Sequence, residues 1–283
     1  MKFRSIEENC FKVLMILSAS IVLLSLVLII GAVFMKGISA MSIDMISKTP
    51  SGGYYLGKEG GVLNAIVGSL LLTGLATAVS IIISLPVVIY LNVYAREASR
   101  FASITRIALE LLWGIPSIVY GAFGFVIMIY LGMKASLLAG IITVALMIFP
   151  IMTRSIDEVM QMVPKELAEA SYSLGATKYE TAFKVILRQT MPGVISAVLI
   201  AFGRGVGDAA SVLFTAGFSD SVPHSLFEPA ATLPLAIFFQ LGTPFPAVQQ
   251  RAYASALILT ILILLVSIAS RFLTAKFNKH IIK

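Results

Sequence analysis

The sequence predicts an all-α membrane protein with six transmembrane helices. Three observations carry that class: a composition too apolar for a soluble domain, six apolar segments near membrane length, and a one-sided distribution of basic residues. Of 283 residues, 58% are hydrophobic and 12% charged, where soluble domains hold roughly 45–50% and about 25%. A helix needs about 20 mostly apolar residues to cross a bilayer. Phe11–Met35, Val62–Leu91, Ile107–Leu131, Ala135–Met152, Gly193–Phe218 and Ala252–Leu273 meet or approach that length. The fourth is short, and the fifth is interrupted by Arg204 and Asp208.

Each element follows from its local sequence. Phe11–Met35 exceeds the 7–15-residue apolar core of a cleavable signal, has no small-residue cleavage site, and reads as an uncleaved first span. Residues 36–61 form a first outer loop, broken by Ser51-Gly52-Gly53 and Gly60-Gly61. Residues 92–106 form a short inner loop and Gly132–Lys134 a tight outer turn. A second outer loop, 219–250, holds five of the 11 prolines. Its apolar part, Leu226–Leu241, is too broken by proline to span and reads as interfacial or re-entrant. With six spans both termini share a side. Fifteen of the 21 basic residues, from Lys2 and Arg4 to Lys283, fall on it, against Lys36, Lys48, Lys58, Lys134 and Arg251 opposite. The positive-inside rule then makes the termini cytoplasmic. The expected organisation is a tail, first span and outer loop over 1–61, a membrane core over 62–273, and a cytoplasmic tail over 274–283. Within the core lies a charged inner insert, 154–189.

Composition also excludes function classes. Cys10 is the only cysteine, so an intrachain disulfide and a cysteine metal cluster are ruled out. His224 and His280 stand alone, and no metal-ligand spacing exists. The net charge of +7 is spread by membrane topology, which gives no reason to expect nucleic acid. Gly52-Gly53-Tyr54-Tyr55-Leu56-Gly57-Lys58-Glu59 imitates a phosphate-binding P-loop. It lacks the Ser or Thr that ligates magnesium, and Glu59 would repel a nucleotide. The chain therefore carries no visible means of hydrolysing ATP. No Ser/His/Asp, Cys/His or paired-carboxylate constellation converges on the expected topology, so no enzymatic role and no cofactor are expected in this chain.

Two motifs lie inside the apolar segments. Gly203-Arg204-Gly205-Val206-Gly207-Asp208 imitates a dinucleotide turn but sits within the fifth segment, where that reading fails. Gly203 and Gly207 make a GxxxG step that lets a helix approach closely. Arg204 and Asp208, four apart, fall on one helical face and are able to pair. A charge at bilayer depth costs roughly 2.5–3.5 kcal/mol on insertion scales and faces a protein interior or a water-filled path. Either the two lock helices as a structural ion pair, or Arg204 lies on an anion pathway that Asp208 tunes. A planar, permanent guanidinium suits an oxyanion, and partial neutralisation would let the anion leave. Gly114-Ile115-Pro116 predicts a kink in the third span, by lost hydrogen bonding and a clash with the preceding turn. That kink serves packing or a gate hinge.

The insert Arg154–Gln189 holds 10 of the 35 charged residues. It reads as helices broken at Pro164 and near Gly175. Glu166, Glu169 and Ala170 form one exposed stripe. Charge alone does not single out a docking surface. Glu169-Ala170-Ser171, three residues, then Gly175 resembles the EAA loop of ABC importer permeases. Leu63–Ser69, Gly114–Gly121, Gly203-Arg204 and Leu213–Ala216 are further similar to the PstA-type permeases of phosphate-specific importers. The resemblance runs from about Gly61 to Ser270. It departs from the pattern at Asp208, where the family usually has Glu, at Ala209-Ala210-Ser211, at Ser171, and at Arg188 in place of a proline.

The resemblance implies a type I ABC importer permease (MetI-like) fold with cytoplasmic coupling helices. It implies one of two membrane subunits, paired with a sister permease of the PstC type. The other partners would be two copies of an ATP-binding subunit of the PstB type, which uses ATP and Mg, and an external phosphate-binding protein of the PstS type. Glu169, Ala170, Ser171 and Gly175 become the residues that couple to the ATPase, and Arg204 and Asp208 the substrate pathway. The alternatives are a permease for another oxyanion (molybdate, tungstate or phosphonate) and a stand-alone secondary transporter or channel.

Overall fold

A computed structural model describes residues 2–51, 59–95 and 99–277. The P-loop-like run over 52–58 lies outside the described residues, as do Arg96 and the tail beyond Phe277. The chain is helical: α1 (Lys2–Ile38), α2 (Ile43–Ser47), α3 (Leu63–Ile89), α4 (Arg100–Trp113), α5 (Ser117–Tyr130), α6 (Leu137–Gln161), α7 (Lys165–Ser173), α8 (Lys178–Glu180), α9 (Leu187–Val206), α10 (Leu233–Leu241) and α11 (Pro246–Phe277). Two π-helical turns interrupt the pattern, Tyr90–Tyr94 after α3 and Thr181–Ile186 before α9. A two-stranded antiparallel pair, β1 (Pro50–Ser51) with β2 (Glu59–Gly60), lies between α2 and α3.

Among the described residues, five helices are long and apolar enough to cross a membrane, and six if the bent pair α4–α5 counts as one span. The centre is α6, the most buried of these spans, packed against α3 and α9. Helices α3 and α6 run parallel. Ser80 Oγ donates to the Ala145 carbonyl (3.1 Å), and Ser84 and Thr153 hydroxyls pair at 2.8 Å. Small residues let the backbones close up, as expected where no water drives helix association. A Cβ on Gly205 would sit 2.9 Å from Thr73, and Gly193 lies directly on the side chain of Val159. From Phe11 to Met35, helix α1 is apolar on nearly every face and largely exposed, as a lipid-facing span should be. It meets α11 at its end, where a Cβ on Gly37 would lie 2.7 Å from the Tyr253 carbonyl oxygen.

The second outer loop is built into the bundle. Leu137 and Leu138 at the start of α6 donate their N–H groups to the carbonyls of Glu228 (2.7 Å) and Leu226 (2.8 Å). These are helix-start donors that have no partner within the helix. The second half of Leu226–Leu241 is α10, capped by Thr232 and packed with α2, α3 and α11 around Met45, Val62, Leu233 and Ile258.

Three span boundaries differ from the sequence reading. The third span is a broken pair bent by 99° between Trp113 and Ser117. Pro116 cannot continue a helix hydrogen-bond ladder, and it starts α5. The fourth runs on past Met152 to Gln161, where Asp157 is buried and paired with Arg106 and Arg154 instead of facing water. The fifth extends from Lys178 to Val206, not Gly193–Phe218. The apolar run beyond Val206 is a series of turns opened by Asp208. The charged insert is consequently not one loop. Its two ends belong to the flanking spans, and only 162–177 projects.

Candidate functional site: a docking turn and an unpaired arginine

The projecting turn is shaped by local rules. Met162 and Val163 finish α6 with short-range bonds to Val159 and Met160 carbonyls, and Pro164 precedes α7. Gly175 ends α7 with φ +83°. Its N–H reaches the Tyr172 carbonyl (2.9 Å) and that of Ala176 reaches Ser171 (3.2 Å), a helix stop that glycine adopts without strain. Thr177 then starts the next helix with a reciprocal cap. The Glu180 N–H donates to Thr177 Oγ1 (3.2 Å), and the Thr177 N–H donates to Glu180 Oε2 (3.1 Å). The two arms are tied by the hydroxyls of Ser171 and Thr181 at 2.9 Å.

Glu166, Glu169 and Ala170 are all exposed on α7, as the stripe requires. Ser171 is half-buried at the tie, and Gly175 has open space around it. Sequence reasoning missed the apolar part of this surface. Leu174 is 88% exposed and Met162 81%, and the exposed rings of Tyr179 and Phe183 tilt against each other with centroids 4.7 Å apart. Large apolar side chains left bare on a charged turn mark a contact site. Their signal was present in the sequence, as apolar residues flanking the breaks at Pro164 and Gly175.

Arg204 sits on the last turn of α9, exposed. The expected pair with Asp208 does not form, because the helix ends at Val206. Asp208 lies beyond that end, and its Oδ2 accepts the Ser211 N–H at 2.7 Å, capping the following turn. Among the described residues no carboxylate lies within ion-pair distance of Arg204. The helix C-terminus favours the cation there. Gly203 and Gly207 face open space rather than a helix of this chain, so their small-residue face is bare beside Arg204. Gly114 and Pro116 form the elbow between α4 and α5. From the elbow, α5 runs against the segment after Asp208: a Cβ on Gly121 would lie 2.7 Å from the Ala210 carbonyl oxygen.

A second charged cluster was not foreseen. Asp157 on α6 is fully buried. Arg106 of α4 donates to it through Nε (2.8 Å) and Nη2 (3.1 Å), and Asn92 and Gln161 each donate through their side-chain amide at 2.7 Å. Arg154 touches Asp157 at 3.5 Å and pairs with Glu110 (3.0 Å) and Glu158 (3.2 Å). By sequence position alone, Arg106 and Arg154 fall among the basic residues of the cytoplasmic side, with nothing to mark a buried partner.

The family described as "Binding-protein-dependent transport system inner membrane component" matches residues 84–283. The phosphate transport system permease protein PstA of Yersinia pestis is 33% identical over 95% of this chain and 91% of its own length. That of Haemophilus influenzae is 33% identical over 83% and 82%. In structure, the chain superposes on a chain of the inward-facing MetNI methionine ABC transporter with a TM-score of 0.63, 22% identity and coverage of 76% of this chain and 95% of that one. A bacterial alginate ABC transporter gives 0.67 at 14% identity over 99% of both. The likeness to these two is one of fold. Multi-pass helices, the EAA-type turn and the matched length together place this chain in the family of binding-protein-dependent transport system inner membrane components, the permease subunits of ABC importers.

Proposed function

We propose that the chain is a translocation subunit that moves inorganic phosphate across the cytoplasmic membrane by alternating access and catalyses no reaction itself. ATP and Mg are used by a partner of the PstB type, which docks on residues 162–177 and drives the cycle by nucleotide-dependent closure. A sister permease of the PstC type covers the bare face at Gly203 and Gly207. A binding protein of the PstS type delivers phosphate to the loops over 36–61 and 219–250. Both termini are cytoplasmic, which puts the docking turn on the same side as the ATPase.

The observation that carries this reading is Arg204: an exposed guanidinium at the end of a span, with no carboxylate partner among the described residues, in a chain whose curated relatives are phosphate permeases. A planar fork of donors complements a tetrahedral oxyanion. With Asp208 engaged in capping, weak release rests on exposure to water rather than on direct neutralisation.

The test is uptake of radiolabelled phosphate by proteoliposomes holding the complete importer and its binding protein, with molybdate, tungstate and a phosphonate as competitors. ATP-dependent phosphate uptake that the competitors leave intact is the expected result. Preferential displacement by one of them would assign the chain to that oxyanion instead. Uptake without the ATPase would make it a secondary transporter.

A further inference from the structure

We propose that Asp157 is a positioning residue that transmits movement of the docking turn to the Arg204 segment through the α4–α5 elbow. The inference rests on the reading above in one respect, that the 162–177 turn is where an ATPase pushes.

The geometry forms an unbroken series of short contacts. The docking turn follows Gln161, the last residue of α6, with no slack, since Met162 and Val163 still bond to carbonyls of the final helical turn. Gln161 Nε2 and the Arg106 fork meet on the same buried carboxylate. A displacement of the end of α6 is thereby imposed on α4. Arg154 adds a second strap from α6 to α4 through Glu110. Asn92 brings in the π-helical turn after α3, donating both to Asp157 and to the Val88 carbonyl (2.9 Å). Such turns widen a helix and recur at functional sites.

Helix α4 passes the movement on. The elbow is held as a unit, because Tyr120 Oη donates to the Leu112 carbonyl across the break at 2.8 Å. One residue further, Gly121 abuts Ala210 and Ser211. Ser211 is the residue capped by Asp208, and the Asp208 N–H in turn bonds to the Gly205 carbonyl next to Arg204 (3.3 Å). A buried ion cluster of this kind adds little net stability over an apolar core of the same shape. Its use here is directional: a bidentate guanidinium–carboxylate pair resists sliding and rotation, where apolar contacts would let helices slip.

The experiment uses the complete importer in proteoliposomes and reads anion uptake and ATP hydrolysis together. In Asp157→Asn the volume is kept, but an amide donor is turned toward the Arg106 and Gln161 donors. The ATPase should still co-purify and hydrolyse ATP, while uptake per ATP hydrolysed falls about tenfold, within the range expected when linked sites are uncoupled. Arg106→Lys, which keeps the charge and loses the fork, provides the same reading should Asp157→Asn fail to assemble, with a smaller fall in the ratio. An unchanged ratio in the variants that assemble overturns the proposal, as does a parallel fall in uptake and hydrolysis, which marks a scaffold only. The ratio is taken for whichever anion the wild-type importer carries, so an error in cargo shows in the wild-type control alone.

Discussion

Arginines occur in two contrasting settings in this protein. Arg106 and Arg154 lie near the Gln161 end of α6, share a fully buried carboxylate, and have most of their donors satisfied within the chain. Arg204 lies at the end of α9, exposed, with no carboxylate of the described residues in reach. The chemistry of the side chain is the same, and the environments divide the labour. A guanidinium whose partners are all supplied by its own fold can hold helices in register. One that the fold leaves unsatisfied at the edge of an apolar span is available to a ligand, and it is retained there although a cation at membrane depth is costly.

The contrast is sharpened by removing one side of it at a time. The largest expected effect is on stability. Asp157→Ala leaves two guanidiniums facing a buried void and should destabilise the assembled permease by about 3–5 kcal/mol, seen as a lower thermal midpoint in detergent; an unchanged midpoint would mean that water already screens the cluster. Leu174→Asp should leave that midpoint alone but reduce ATPase co-purification about tenfold, as for an apolar contact worth over 1 kcal/mol at an interface. Full retention of the ATPase would remove Leu174 from the docking surface. Gly175→Ala meets no steric obstacle, so only its left-handed backbone matters. The strain of about 1–2 kcal/mol should show as a modest loss of ATP-driven uptake, and Gly175→Asn, better suited to that conformation, should lose less. The smallest effect is expected for Arg204→Lys, in which charge survives and the fork is lost: the KM for uptake should rise severalfold with the maximal rate largely kept.

How far the sequence revealed these two regions depends on how local their causes are. The shape of the projecting turn was legible because its determinants are neighbours in the chain. Pro164 marks the break before α7, Gly175 stops it, and Glu166, Glu169 and Ala170 repeat at helical spacing. The kink at Gly114–Pro116 was legible for the same reason, although a 99° bend depends on what α4 packs against. The Asp157 cluster was not legible. Asn92, Arg106 and Asp157 are far apart in sequence, and each charge next to an apolar segment reads as solvated until a partner is placed beside it. The end of α9 was misjudged because Val212–Ala216 is as apolar as a span. After α9 ends at Val206, Asp208 takes the Ser211 N–H and opens a run of turns, a side-chain cap that hydropathy does not register. That cap also explains why the i, i+4 spacing of Arg204 and Asp208 did not produce a pair.

The central claim is that Arg204 serves the anion and not the fold. Its most direct test is phosphate uptake by the complete importer carrying Arg204→Ala, measured beside the thermal midpoint of the same preparation. Loss of hydrogen bonds to a charged group costs about 1.5–3 kcal/mol, so uptake should fall on the order of 10- to 100-fold while assembly and midpoint stay at wild-type values. Near-normal uptake, or a fall in midpoint comparable to that of Asp157→Ala, would contradict it.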